Sequence, residues 1–288
     1  MTGMSNLVSS AIQDAFIAGM AKRPSVFQQI FQVKTSAKER ETELAVAGLG
    51  EWSQTDDLEA GGTDDMVEIG TAAYIHDTFQ MHVPIPRKLI DDDNLGLIMD
   101  EIGKMGAGAI LAADRKAAAV LNNAFTSGTG PDAAYLCATH SLAKSASTIS
   151  NAGSGALTET TFDSAMTAIQ TQKDDNYKEL SIMPTIMVVP PAQFKKASII
   201  VGSQQLSGTG NNDINPYANM VKIIVNPFLS SATAWFLIDQ IMAKLKFFWR
   251  VAPEVTIEKK SNAYIAHGYA RLSVGFSDWR GVYGSTGA

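Results

Sequence analysis

The chain has 288 residues, enough to bury a full core as one large domain or two smaller ones. Its net charge of -6 argues against holding nucleic acid by neutralising phosphates, and its single cysteine, Cys137, excludes an internal disulfide and any thiolate metal cluster. Only 18% of the residues are charged, below the usual quarter, so much of the surface is expected to be hidden in contacts.

Residues 1–40 contain a helical pattern around "SSAIQDAFIAGM", which puts Ile12, Phe16 and Ile17 on one face. Lys22, Arg23, Lys34, Lys38 and Arg40 outnumber Asp14 and Glu39, so this is a basic arm in an acidic protein. From Glu41 to Gly70 the sign reverses, with nine carboxylates, among them Glu51, Asp56, Asp57, Glu59, Asp64 and Asp65, and no Lys or Arg. Glycines punctuate this stretch, and "MVEIGTAAYIHDTFQMHVPI" then reads largely as strand. The pattern predicts a long two-stranded hairpin with a Gly-Gly tip. An isolated ribbon is marginal in water, so it should be mobile until a neighbouring subunit supports it.

The strongest helical segment is "RKLIDDDNLGLIMDEIGKMGAGAILAADRKAAAVLNNAF". Its acidic start and Asn94 suit free backbone N–H groups and the positive end of the dipole. Ile98, Ile102, Met105 and Ala109 form an apolar stripe, while Gly103, Gly106 and Gly108 suggest close approach to another backbone. We expect a long helix laid across a sheet. Beyond the turn signal "TSGTGPD", "TFDSAMTAIQTQ" reads as a helix carrying Phe162, Met166 and Ile169, and "PTIMVVP" as a buried strand. "PPAQFKKASIIVGS" restarts a helix, with a proline suited to its first turn. "GSQQLSGTGNNDINPYANM" is a polar loop. "VKIIVNP", "ATAWFLID", "AKLKFFWRV" and "EVTIEKK" read as strands separated by turns, followed by "AYIAHGYARLSVGFSDWRGVYG". This is α+β material. No apolar stretch is long enough to cross a bilayer and no secretory start is visible, so the chain reads as soluble and not secreted.

Candidate chemistry is thin. "DDDNLG" places Asp91, Asp93 and Gly96 at the first, third and sixth places of a calcium loop, but Leu95 and Ile102 stand where ligands are required, so helix capping is the better reading. The clustered glycines of "GKMGAGAILAAD" lack the phosphate-cradling order. His76, His82, His140 and His267 show no metal-ligand spacing and read as structural polar contacts; Cys137 reads as a small buried hydrophobe. "GFSDWRG" and "NAGSGAL" do not form a nucleophile elbow. Trp235, Trp249 and Trp279 sit in strand-like apolar contexts, where core packing is the default. We therefore expect no catalytic residue, no cofactor and no metal. An enzyme built on Asp91, Asp92 and Asp93 is the competing class, and it lacks a second ligand cluster.

The "RKLIDDDNLG…" helix followed by "CATHSL", then "PTIMVVPPAQFKKASIIVGS" and "IIVNPFLSSATAWFLID", together resemble the major capsid proteins of tailed bacteriophages. The resemblance is to the Hong Kong 97 type fold and more closely to the Mu-like major head subunit. It implies an N-terminal arm at 1–40, an extended E-loop hairpin at 41–83, and a P-domain at 84–135 whose spine helix lies near 87–123. An A-domain would occupy 136–249, P-domain return strands 250–275, and a C-terminal tail near the A-domain 276–288. The implied subunit is not an enzyme. It would assemble through pentamers and hexamers into an icosahedral-type shell that encloses phage DNA without sequence-specific binding. A separate scaffolding protein, a portal and a maturation protease are implied partners, and a decoration protein is compatible; no membrane is. Assembly would occur in the bacterial host cytoplasm and the product would be the virion. Some relatives weld their shells through an E-loop lysine, and no lysine lies between Lys38 and Lys88 here, so that crosslink is not expected. An encapsulin-type compartment shares the fold and is the nearest alternative. The opposite charges of arm and hairpin predict that Lys22, Arg23, Lys34, Lys38 and Arg40 meet Glu51, Asp56, Asp57, Glu59, Asp64 and Asp65 of a neighbour.

Overall fold

The computed structural model describes residues 2–50, 52, 54–57, 62–91, 95–205, 214–260 and 263–288; the side chains of 2–9, 90 and 91 are outside the description. In chain order the elements are α1 (Thr2–Ala21), β1 (Gln32–Thr35), β2 (Arg40–Val46), β3 (Glu68–Ile75), β4 (Asp77–Pro86), α2 (Arg87–Asp91) and α3 (Leu95–Asn122). β5 (Thr139–Ser141), β6 (Thr148–Ser150), β7 (Ala152–Gly153), α4 (Glu159–Gln170), β8 (Ile186–Val189) and α5 (Phe194–Ala197) follow. The chain closes with β9 (Lys222–Val225), β10 (Trp235–Ile238), β11 (Leu245–Lys260), β12 (Ala263–Phe276) and β13 (Val282–Ser285).

Two sheets carry the fold. The first has strand order β1-β11-β12-β4, antiparallel except where β1 runs parallel to β11. Its inward positions Ile85, Val255 and Ala266 pack against Ile98, Ile102 and Met105 of α3 and against Ile12 and Phe16 of α1. The expected stripe of α3 is thus its buried face, with Ala109 half-buried at its edge. Ile17, expected on the buried face of α1, is 57% exposed, because that face is completed by Ala15 and Met20 instead.

The second sheet has the order β7-β13-β10-β8-β9. Strands β8 and β10 are buried along their whole length because both faces are covered. Ile186, Val188, Phe236 and Ile238 face Ala117 and Leu121 of α3, while Met187, Val189, Trp235 and Leu237 face Phe162, Met166 and Ile169 of α4. A doubly covered strand needs a continuous apolar run, which is what "IMVV" and "WFLI" supply.

Four expectations need correction. The two strands read at "AKLKFFWRV" and "EVTIEKK" are one strand, β11, whose register shifts between Trp249 and Glu254 absorb Pro253. A proline is tolerated at a bulge where no ladder N–H is required. The restart after "VVPP" is a 3-10 turn at Pro191–Gln193, then α5, then a π-turn at Ser198–Gly202. Trp279 is buried in the turn before β13, outside any strand. Among the described residues Gly108 has no neighbour within 4 Å of where a Cβ would stand, so close packing between them does not explain it. The Gly-Gly tip and the polar loop lie partly, and the "DDDN" helix start largely, outside the described residues.

Candidate assembly surface

The N-terminal segment is fixed to α3 at two places. Gly106 faces the Phe16 carbonyl and Gly19 the Gly103 carbonyl so closely that a Cβ on either would overlap the oxygen, so α1 and α3 touch backbone to backbone. Past α1, Asp114 Oδ1 accepts the backbone N–H groups of Val26 (2.8 Å) and Phe27 (2.9 Å). Phe27, 1% exposed, stacks on Phe247 at 4.3 Å and so delivers the chain to β1. Asp114 is itself buried, and desolvation pushes its carboxyl above the ordinary range while the two N–H groups and Arg23 oppose the shift.

β2 and β3 form an antiparallel ribbon from Arg40↔Ile75 to Val46↔Glu68. The ribbon is not free-standing, which corrects the expectation of an unsupported hairpin. Ala72 and Tyr74 pack on Phe248, with the two rings 5.0 Å apart, and Glu43 pairs with the buried ammonium of Lys246. Burial also raises the Tyr74 phenol above its usual range. Beyond the ribbon, Ala47 N–H donates to the Val67 carbonyl, and Gly48 N–H donates to Asp175 at 3.3 Å. Asp64 accepts from Gly50 N–H (2.6 Å), from Lys144 Nζ (2.8 Å) and from Asn176 (3.4 Å). The hydrogen bond from Lys144 and then that from Gly50 hold its carboxyl down at about 2. The connection between β2 and β3 is therefore latched to the loops around α4.

The predicted charged residues fall into three groups. Lys22 and Lys34 are exposed, Arg40 opens β2 at the surface, and Arg23 lies 5.9 Å from the Phe228 ring centroid. Lys38 is already paired with Glu41 of its own chain at 3.3 Å, and Asp64 with Lys144. Asp56, Asp57 and Asp65 are exposed, whereas Glu51 and Glu59 lie outside the described residues. Among the described residues, the Lys38–Glu41 pair joins the basic arm to the acidic segment, and none of the predicted basic residues meets Asp56, Asp57, Asp64 or Asp65 of its own chain. Apolar side chains are exposed on the ribbon and its connection: Leu44, Leu49, Met66, Ile75 and Trp52, the last completely.

Sequence reasoning missed the polar network behind the ribbon. Arg280 bonds Asp175 (2.8 Å) and Asp278 (3.2 Å), and Asp278 also pairs with Lys244 at 3.5 Å. His140, fully buried, bonds Asp132 at 2.6 Å and stacks on Trp279 at 4.1 Å, while the Arg280 guanidinium lies 4.9 Å from the same indole. Asp132, Asp175, Lys244, Asp278, Trp279 and Arg280, together with Glu43 and Lys246, line a cavity of about 360 Å³. Asp278, Trp279 and Arg280 are neighbours in the chain, but the other pairs are 8 to 203 residues apart, so no local motif announces the network. The structural reading of His140 fits this network. Buried His76 differs, with no hydrogen-bond partner at either ring nitrogen among the described residues; burial and then Arg271 lower its pKa. Burial raises the Cys137 thiol. Among the described residues no three His, Cys, Asp or Glu side chains converge as a metal centre, and Asp92 and Asp93 lie outside the description.

A long helix over one sheet, a second sheet bearing the helical layer of α4 and a ribbon reaching out from the first define an α+β capsid fold of the Hong Kong 97 type. The chain is similar to a protein in the procapsid of bacteriophage JBD30, at 16% identity and a TM-score of 0.58 over 99% of this chain and 75% of that one. The capsid of Myoviridae phage XM1 matches at 9% identity and 0.58, covering 92% of each chain. A virus-like particle from Pyrococcus furiosus matches at 9% identity and 0.56, covering 96% of this chain and 98% of that one. A search of the curated proteins finds no match. The family model of the phage capsid protein matches residues 73–285, and the chain belongs to that family. It is a structural capsid subunit of a multi-subunit shell, and its place is the virion.

Proposed function

We propose that the subunit is a non-enzymatic, Mu-like major head protein that assembles through pentamers and hexamers into a closed icosahedral-type shell around phage DNA. Residues 1–40 serve as the N-terminal arm and 41–83 as the E-loop. Residues 84–135 and 250–275 make the P-domain, 136–249 the A-domain, and 276–288 a tail against the A-domain. The observation that carries this reading is the exposed apolar set on the ribbon and its connection, Leu44, Leu49, Trp52, Met66 and Ile75, on an arm of a capsid-family subunit. Apolar surface concentrated on an extension calls for a partner, and a shell supplies an identical one.

Charge adds to this contact. Lys22, Arg23, Lys34 and Arg40 meet Asp56, Asp57 and Asp65 of a neighbour, with Lys38 and Asp64 exchanging their own-chain partners. Each exposed pair is worth only about 0–1 kcal/mol, but every subunit repeats it. A separate scaffolding protein, a portal and a maturation protease act in the host cytoplasm before the head is complete, and the acidic balance keeps enclosed DNA from sticking to the wall. Neutralising Asp56, Asp57, Asp64 and Asp65 to Asn tests the contact: shells should dissociate at lower salt or denaturant. Identical disassembly at every salt concentration would remove it. The contents decide the rest, because nucleic acid marks a head and a co-purifying protein marks an encapsulin-type compartment.

A further inference from the structure

The face of the four-stranded sheet turned away from α3 carries an arrangement to which the proposed assembly contact assigns no role. His82 of β4 and His267 of β12 stand directly opposite each other in the ladder, on the side where Gln80, Thr256 and Glu258 are exposed. Their Nδ1 atoms are 2.6 Å apart and their ring centroids 4.6 Å apart in an edge-to-face geometry. On the far side of the second ring, His267 Nε2 lies 3.1 Å from a carboxylate oxygen of Glu258.

We propose that His82 and His267 form a two-histidine site for a divalent transition metal of the zinc, nickel and copper class. Glu258 accepts the Nε2–H of His267, which fixes the tautomer with the lone pair on Nδ1, the arrangement that carboxylates impose on metal-binding histidines. In the empty site His82 Nδ1–H donates to that lone pair. When the ion binds, the Nδ1 proton of His82 leaves to solvent and its exposed Nε2 takes one up, so the neutral pair needs no net proton change. The two Nδ1 atoms displace water from the hydrated ion: two water ligands leave where it stays six-coordinate and four where it becomes tetrahedral. At metal–nitrogen distances of about 2.0–2.1 Å around a tetrahedral centre the two atoms would stand about 3.3 Å apart. The rings must therefore separate by roughly 0.7 Å, within reach of small side-chain rotations on a solvent-facing surface. The remaining positions stay with water, so the site is open.

Competing ligands are few. His76 and His140 are buried, and the thiol of Cys137 is buried and protonated. The test is calorimetric titration of the untagged, full-length protein with Zn²⁺ or Ni²⁺ alone, alongside His82→Gln, His267→Gln and Glu258→Gln. One ion per chain is expected for the parent protein, with binding lost in both histidine variants. Glu258→Gln, an exposed change that leaves both ligands in place, should weaken binding about 10-fold or more. Melting curves confirm that each variant is folded; should a histidine variant fail, Glu258→Gln alone decides. No binding by the parent, or equal binding by the parent and the variants, would overturn the proposal.

Discussion

Asp114 offers the sharpest test of how the N-terminal segment is held. Replacing it with Ala removes the acceptor of two backbone N–H groups, of which that of Phe27 is buried and that of Val26 partly so. A buried donor left without a partner costs about 1–3 kcal/mol, and a half-exposed one less, so Asp114→Ala should lose about 2–4 kcal/mol. Asp114→Asn keeps an oxygen for both N–H groups and carries no charge. It should stay within about 1 kcal/mol of the parent at pH 7. The pH dependence separates the two effects. Because burial raises the folded carboxyl above its unfolded value, the folded state binds the proton more tightly, and the group's contribution falls as pH rises through that window. The parent should therefore gain on Asp114→Asn as pH is lowered from 7 toward the ordinary carboxylate range at about 4. Urea unfolding of the unassembled subunit reads this out, and Trp249, whose ring centroid lies 6.2 Å from that of Phe27, makes its fluorescence a local reporter. An Asp114→Ala variant within about 0.5 kcal/mol of the parent, or an Asn variant as damaged as the Ala one, would refute the reasoning.

The latch on the ribbon predicts that Lys144→Met increases hydrogen exchange of residues 47–50 and 62–67 while leaving the sheets protected. Since the Asp64 carboxyl is held down at about 2, its contribution is complete above pH 4 and is lost as pH falls toward 2; exchange at pH 5 and pH 7 should show the same latch. Gly106→Val should cost at least 1–3 kcal/mol by forcing α1 off α3 at the Phe16 carbonyl. Gly108→Ala, two residues along the same helix, meets open space and should stabilise by up to about 1 kcal/mol; urea midpoints of the two variants should move in opposite directions.

What the residues reveal on their own follows from how local each cause is. The stripe Ile98, Ile102, Met105 is a property of consecutive turns, so α3 could be read directly. The doubly buried strands β8 and β10 show as apolar runs for the same reason. Pro253 misleads because a proline usually ends a strand, whereas here register shifts carry β11 past it. Asp114 looks like part of the charged run Asp114-Arg115-Lys116 in an Ala-rich helix, and only the approach of Val26 and Phe27 gives it a task. The antiparallel ribbon of β2 and β3 is legible from the acidic, glycine-punctuated segment and the strand pattern that follows it. Its support is not, because Lys246 is 203 residues from Glu43 and Lys144 is 80 from Asp64, while Phe248 is comparably far from Ala72 and Tyr74.

Self-assembly is the central claim, and negative-stain electron microscopy of the purified protein, with mass from light scattering, tests it most directly. Closed shells, or rings of five and six subunits, are the predicted result. A uniform monomer, both alone and when co-expressed with a scaffolding protein, would contradict it.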